Sequence, residues 1–131
     1  MSSLKHLQVE ATKSSPAIDF NPETHNLSLR GESYPENCSR FYAPVFDWLR
    51  EYLSVSQNQP MTLEMEIVYF NSSSSKTFMD LFDMLDAAAQ AGKSVCVRWR
   101  YDEENETALE CGEEFQEDVQ HINFELVSVA A

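Results

Sequence analysis

The chain has 131 residues, 43% of them hydrophobic, and a formal net charge of −13, which suits one acidic domain with a core of its own. The acidity argues against nucleic acid and anionic membrane surfaces as partners, because both need a basic face; it suits a protein partner with a basic patch, or serves solubility alone. No apolar run reaches membrane-spanning length and the N-terminal MSSLKHLQVEA lacks the apolar core of a secretion signal, so a cytoplasmic location is expected.

Residues 4–11 and 16–20 read as short strands, with Leu7, Val9 and Ala11, then Ile18 and Phe20, at alternate positions. Turn residues fill 21–26, and Leu27 and Leu29 mark a third strand closed by Gly31, so 16–31 is a predicted hairpin. Tyr34 precedes Pro35 and must be extended. Phe41, Val45, Trp48, Leu49, Tyr52 and Leu53 then form one helical face. Pro44 leaves two starts for this helix. It begins within 40–43, or it begins near Glu36 and bends at Pro44; the second keeps Phe41 in the stripe. A polar loop is expected over 54–60.

Met61, Leu63, Met65, Ile67 and Tyr69 alternate with Thr62, Glu64, Glu66 and Val68, which predicts the central strand. The alternation fails at Val68, Tyr69 and Phe70, as if both faces were covered there. Residues 71–75 break the pattern with a polar turn. Phe78, Leu81, Phe82, Leu85, Ala88 and Ala89 recur at helical spacing up to Gly92. The serines thus stand between a strand's carboxyl end and a helix's amino end. A serine there caps the helix. The same free amides and the helix dipole also seat an anion, including a phosphate. One serine suffices for a cap, and four hydroxyls exceed that need.

Residues 94–101 read as a strand with Val95, Val97, Trp99 and Tyr101 on one face and Cys96, Arg98 and Arg100 on the other. The two arginines are expected to pair with the acidic run that follows. A third helix starts at Asn105 or Glu106, with Leu109, Phe115 and Val119 inward, and a last strand covers 122–129. Cys38, Cys96 and Cys111 have no CxxC spacing and read as reduced thiols, Cys96 buried and inert. The order predicts an α/β fold: an N-terminal antiparallel hairpin plus parallel β-α-β units, one mixed sheet against about three helices, in a single domain over 1–131. Ligands of such sheets sit beyond the strands' carboxyl ends, where 71–75 falls.

Little else carries chemistry. His6, His25 and His121 lack ligand spacing, and 102–118 lacks the ligand pattern of a calcium loop. Gly31, Gly92 and Gly112 cannot build a phosphate-cradling loop, and no G-x-S-x-G elbow exists. No enzyme, metal or cofactor is expected; a small enzyme using the strand-end cleft is the contrasting reading.

Two segments match a known family in order and spacing: GESYPEN at 31–37 with Phe41 and Tyr42, and YFNSSSSK at 69–76. With VRWRYD at 97–102 and Glu113, Glu114 and Phe115, they resemble the SiaC-type bacterial regulatory phosphoproteins over nearly the whole chain. The resemblance implies a STAS-like fold and a switch. A dedicated kinase phosphorylates the hydroxyl after the central-strand asparagine, and a PP2C-type phosphatase reverses it. The unmodified form binds and activates a diguanylate cyclase, raising cyclic di-GMP and favouring biofilm growth or aggregation. That hydroxyl falls on Ser72, where some members carry threonine; Ser73 and Ser74 are possible substitutes. Asn71, Ser73 and Lys76 are expected to shape the site, with Tyr34, Pro35 and Asn37 as a neighbouring wall. The alternative reading is an antagonist that binds an anti-sigma kinase and frees a sigma factor.

Overall fold

Apolar alternation along the strands is answered by one helical layer. The computed structural model describes residues 5–55 and 59–129. The first residue of the predicted strand 4–11 and the middle of the predicted loop 54–60 lie outside them. The elements in order are β1 (Leu7–Val9), β2 (Ala17–Asn21), β3 (Asn26–Ser33), α1 (Cys38–Val55), β4 (Met61–Phe70), α2 (Ser72–Gln90), β5 (Val95–Asp102), α3 (Glu106–Asp118) and β6 (Asn123–Val129). One sheet contains all six strands in chain order. β1, β2 and β3 pair antiparallel; β3, β4, β5 and β6 run parallel. Each parallel crossover steps to the adjacent strand in the same direction. Right-handed crossovers of that kind put every helix on the same face of the sheet.

The helix-facing residues include Leu27, Leu29, Leu63, Met65, Val97 and Trp99, all buried. The opposite face is polar and uncovered. Register places Arg98 between Glu64 on β4 and Glu125 on β6. Arg98 approaches Glu125 at 3.4 Å and Glu64 at 3.8 Å, and Arg100 approaches Glu66 at 3.0 Å. The expected pairing with 102–118 is therefore corrected. Side chains two residues apart share a sheet face, and their partners come from neighbouring strands. Half-exposed pairs of this kind contribute about 0–1 kcal/mol each. Cys96 lies on this same face and is half-buried, not enclosed as expected. Partial burial and then the Glu125 charge push its thiol pKa up, so it stays protonated and weakly reactive.

The first helix starts at Cys38, two residues from either expected start, and Pro44 falls beyond its first turn, as the earlier start requires. Asn37 caps it, its Oδ1 accepting from the Arg40 amide at 3.1 Å. Pro44 lies inside the helix on its exposed side. The bond it removes is thus on the side where water can take its place. α3 is capped by Asn105 at the Ala108 amide, 3.1 Å. It packs through Ala108, Gly112 and Phe115, so Leu109 is not the inward residue expected. Asp86 on α2 accepts from the amides of Gln120, His121 and Ile122 and ties α2 to the turn before β6. Among the described residues no helix is long and apolar enough to cross a membrane.

Gly112 is where Trp99 lies against α3. A Cβ there would meet Trp99 Cδ1 at 2.5 Å and Leu126 Cδ2 at 2.8 Å, while Trp99 Nε1 is held by the Ala108 carbonyl at 2.9 Å. The indole has little room to retreat without losing that bond. Gly112→Ala should therefore destabilise the fold by about 1–3 kcal/mol, the usual cost of overpacking. Urea denaturation measures this; an unchanged or higher midpoint would contradict the packing described.

Candidate functional site

The site is made where β4 ends. β3 and β4 are in register up to Gly31 and Ile67; the next pair is Glu32 and Tyr69. Val68 is therefore an extra residue, a β-bulge. Gly31, across from the irregularity, has φ of +128°, which a side chain rarely allows. The bulge resets the alternation. Ile67 and Phe70 both reach the helical side, Phe70 packing edge-on against Phe78 and Trp99. Val68 and Tyr69 are left 63% and 53% exposed. This corrects the expectation that both faces are covered here: the broken pattern marks a bulge. Asn105 Nδ2 donates to the Val68 carbonyl at 3.2 Å, satisfying a group the bulge removes from the ladder. The Tyr34 ring stands edge-on to Tyr69 with centroids 5.7 Å apart. Tyr34 and Tyr69, with the exposed Val68 next to Tyr69 in the chain, make up an apolar ledge, and Val68 also helps Arg100 and Asn105 to line a cavity of about 200 Å³.

Asn71 follows directly. Its amide donates to the Ser33 carbonyl at 3.1 Å, and its Oδ1 accepts from the Ser74 amide at 2.9 Å. The helix cap is thus Asn71, and the serines expected as caps and turn residues form the first turn of α2 itself. Asparagine is as good a cap as serine, so the side chain nearest the strand end takes the role. Ser72 and Ser73 are exposed, Ser74 is 0% exposed and Ser75 is half-buried. Ser74 Oγ donates to the Ser33 carbonyl at 2.8 Å and lies 2.7 Å from Ser33 Oγ and 3.3 Å from Cys38 Sγ. Ser33 Oγ lies 2.5 Å from the Tyr42 hydroxyl. Burial pushes the Tyr42 pKa up to about 12, against a smaller lowering by the Ser33 bond, so the phenol stays protonated. Ser74, expected as a substitute acceptor, has its hydroxyl enclosed and already bonded.

The other expected site residues divide by location. Ser73 and Lys76 are exposed on the opening turns of α2 with Ser72. Lys76 is four residues on, hence on the same side of the helix as Ser72. Tyr34 reaches the ledge through Tyr69, and its amide donates to the Ser14 carbonyl at 2.7 Å. Pro35 is half-buried, and the Asn37 side chain is engaged at the Arg40 amide in the α1 cap. Sequence reading missed Val68 and Tyr69 as surface residues and Ser33, Cys38 and Tyr42 as the support beneath the corner. The failed alternation at 68–70 was the available signal for the first pair. The second set is joined only by the fold. Among the described residues no group of three or more His, Cys, Asp or Glu is placed to hold a metal ion.

Fold and corner together define an α/β protein that displays a hydroxyl at a helix entrance beside an apolar ledge, the make-up of a regulatory binding protein. The chain belongs to the SiaC family of regulatory phosphoproteins, whose model matches residues 9–129. An uncharacterized protein of Pseudomonas aeruginosa (strain UCBPP-PA14) is 40% identical over 115 residues, covering 88% of this chain and 90% of that protein. A chain in the crystal structure of diguanylate cyclase SiaD in complex with its activator SiaC from Pseudomonas aeruginosa matches with a TM-score of 0.89 and 38% identity, covering 94% of this chain and 99% of that one. SiaC of Pseudomonas aeruginosa matches with a TM-score of 0.85 and 36% identity, covering 97% and 99%.

The Asn71 cap yields a direct expectation. Asn71→Ala removes the acceptor for the Ser74 amide and should cost about 1 kcal/mol, as loss of a helix cap does. Chemical denaturation checks this; stability equal to wild type would mean that the cap is redundant.

Proposed function

We propose that this protein is a single-domain, phosphorylation-switched activator of a diguanylate cyclase. One observation carries the reading: Ser72 is exposed at the entrance of α2, next to an apolar ledge, in a chain similar along its length to a protein that activates such a cyclase. In the unmodified form the ledge of Tyr34, Val68 and Tyr69 docks on the cyclase, with Asn71, Ser73, Pro35 and Asn37 around it. Activation raises cyclic di-GMP and so favours biofilm growth or aggregation. A dedicated kinase transfers phosphate to the Ser72 hydroxyl, and a PP2C-type phosphatase removes it. The protein acts in the cytoplasm by binding, and catalyses no reaction of its own.

Magnitudes indicate how the phosphate works. It adds about −1.5 to −2 units of charge. Set against a net charge of −13, this changes the long-range field little, and salt screens it beyond about 8 Å. The effect is therefore local. A phosphate at Ser72 is well solvated while exposed, and a docked partner has to strip that water. Desolvating a charge costs several kcal/mol unless the partner supplies a counter-charge. Lys76, one turn on, is the only base in α2 and sits where it can pair with the phosphate. Exposure of Ser72 means that both the kinase and the phosphatase can reach it without unfolding. The anti-sigma reading shares this chemistry, but the similarity to SiaC favours the cyclase.

The test uses the purified cyclase of the same host, with calorimetric affinity and the rate of cyclic di-GMP synthesis as readouts. Ser72→Ala should bind and activate like wild type. Ser72→Asp should bind more weakly by about tenfold or more, equivalent to ~1.4 kcal/mol. Tyr69→Ala should lose a similar amount, as truncating an aromatic anchor does. Equal binding by the Asp and Ala variants would take the switch away from Ser72. Full binding by Tyr69→Ala would move the docking surface elsewhere.

A further inference from the structure

Ser72, Ser73, Ser74 and Ser75 offer a kinase four chemically identical hydroxyls in a row. Local sequence scarcely distinguishes them; their placement on the helix does. We propose that Ser74 is a positioning residue: its buried hydroxyl pins the first turn of α2 to β3 and α1, and thereby selects Ser72 over its neighbours as the phosphate acceptor. This rests on the reading of Ser72 as the modified residue.

The argument starts from helix geometry. At 3.6 residues per turn, successive side chains are rotated by about 100°. Ser74 begins the inward stripe that continues through Phe78, Leu81, Phe82 and Leu85, all buried. Measured from Ser74, Ser72 lies about 160° round the helix and Ser73 and Ser75 about 100° to either side; Ser72 and Ser73 are exposed and Ser75 is half-buried. The apolar stripe fixes this rotation from Phe78 onward, but the first turn lies ahead of it. The amides of Ser72, Ser73 and Ser74 have no backbone partner four residues back within the helix, so the opening of the turn frays unless something else holds it.

Two things hold it here. Asn71 caps the Ser74 amide, and the Ser74 hydroxyl bonds to the Ser33 carbonyl at 2.8 Å. The second tie is the deeper one. Ser33 and Ser74 are both 0% exposed, and Cys38 and Tyr42 on α1 close the network. Among the described residues no buried side-chain nitrogen or oxygen lacks a partner. A displaced Ser74 would leave several of these groups unpaired away from water, which costs more than the single bond lost. An alanine at 74 would still suit the inward stripe. The serine adds direction: it ties the turn to one carbonyl on β3 and one group on α1. The strand end, the helix entrance and α1 are thereby held as one unit beneath Ser72.

The experiment compares full-length wild type with Ser74→Ala by two readouts. The first is amide hydrogen exchange. Protection at Ser74 and Ser75 should fall by about tenfold in Ser74→Ala, as loss of a buried hydrogen bond implies, with α3 unchanged. Unchanged protection would overturn the pin. The second is phosphosite mapping by mass spectrometry of both proteins expressed in the native host. Wild type should carry phosphate on Ser72 alone, whereas Ser74→Ala should spread it to Ser73 and Ser75. Phosphate confined to Ser72 in the variant would overturn the positioning role. Wild type without phosphate on any of the four would overturn the functional reading instead, and hydrogen exchange would still decide the pin. Should Ser74→Ala fail to fold, Tyr42→Phe keeps the ring, removes one hydroxyl of the network and should give the same spread more weakly; no spread there counts against the proposal. Val97→Ala, a core truncation away from the corner, is the control. Spreading in that variant too would reduce the effect to general loosening and overturn it.

Discussion

Asn71 is the residue through which strand, helix and surface are joined. Its amide reaches the Ser33 carbonyl on β3, its side chain reaches the Ser74 amide, and its own carbonyl accepts from the Ser75 amide. The β4 strand therefore becomes α2 with no intervening loop. Such a junction has little freedom, and whatever follows Asn71 is displayed at a set angle. The bulge one step earlier serves the same end. By inserting Val68 it lets Phe70 enter the core and turns Val68 and Tyr69 outward beside the helix entrance. A regular strand would have kept the alternation and left no ledge at this place.

The two faces of the sheet carry different burdens. The helical side holds the core, with Trp99, Phe70, Phe78 and Phe115 meeting edge-on below the corner. The uncovered side offers no such packing and is instead a ladder of opposite charges, Arg30 with Glu64, Arg98 with Glu125, Arg100 with Glu66. These pairs add little stability, but they leave the arginines of that face beside acids on neighbouring strands. Lys76 is different in position: it lies at the opening of α2, one turn from Ser72, and α2 has no other base. A new negative charge at Ser72 has this lysine and the helix dipole as its nearest favourable partners within the protein. On the proposed reading, a phosphate there is well accommodated in the free protein, and a docking partner has to disrupt that arrangement.

Much of this was legible in the sequence, for reasons that differ by element. Period-two patterns at 61–67 and 95–101 and the helical stripes at 41–53 and 78–89 reflect burial on one side, and each became the predicted element. The element order sufficed for the mixed sheet, because crossovers have one hand. Pro44 left the start of α1 open, since nothing local says whether a proline faces water. The partners of Arg98 and Arg100 were misread because strand register is a long-range property. Val68 and Tyr69 gave a true signal, a broken alternation, but the same break describes a doubly covered strand or a bulge. At the corner the four serines look equivalent. Counting back from Phe78 puts Ser74 on the inward side, but its partner Ser33, forty-one residues away, is visible only once β3 and β4 are paired.

The central claim is that charge on one exposed hydroxyl governs docking while the fold stays as it is. The most direct measurement takes one preparation phosphorylated on Ser72, treats half of it with a phosphatase, and compares the two halves for affinity to the host's cyclase and for thermal unfolding. The account predicts far weaker binding by the phosphorylated half and nearly the same melting temperature for both. Equal affinity would contradict it.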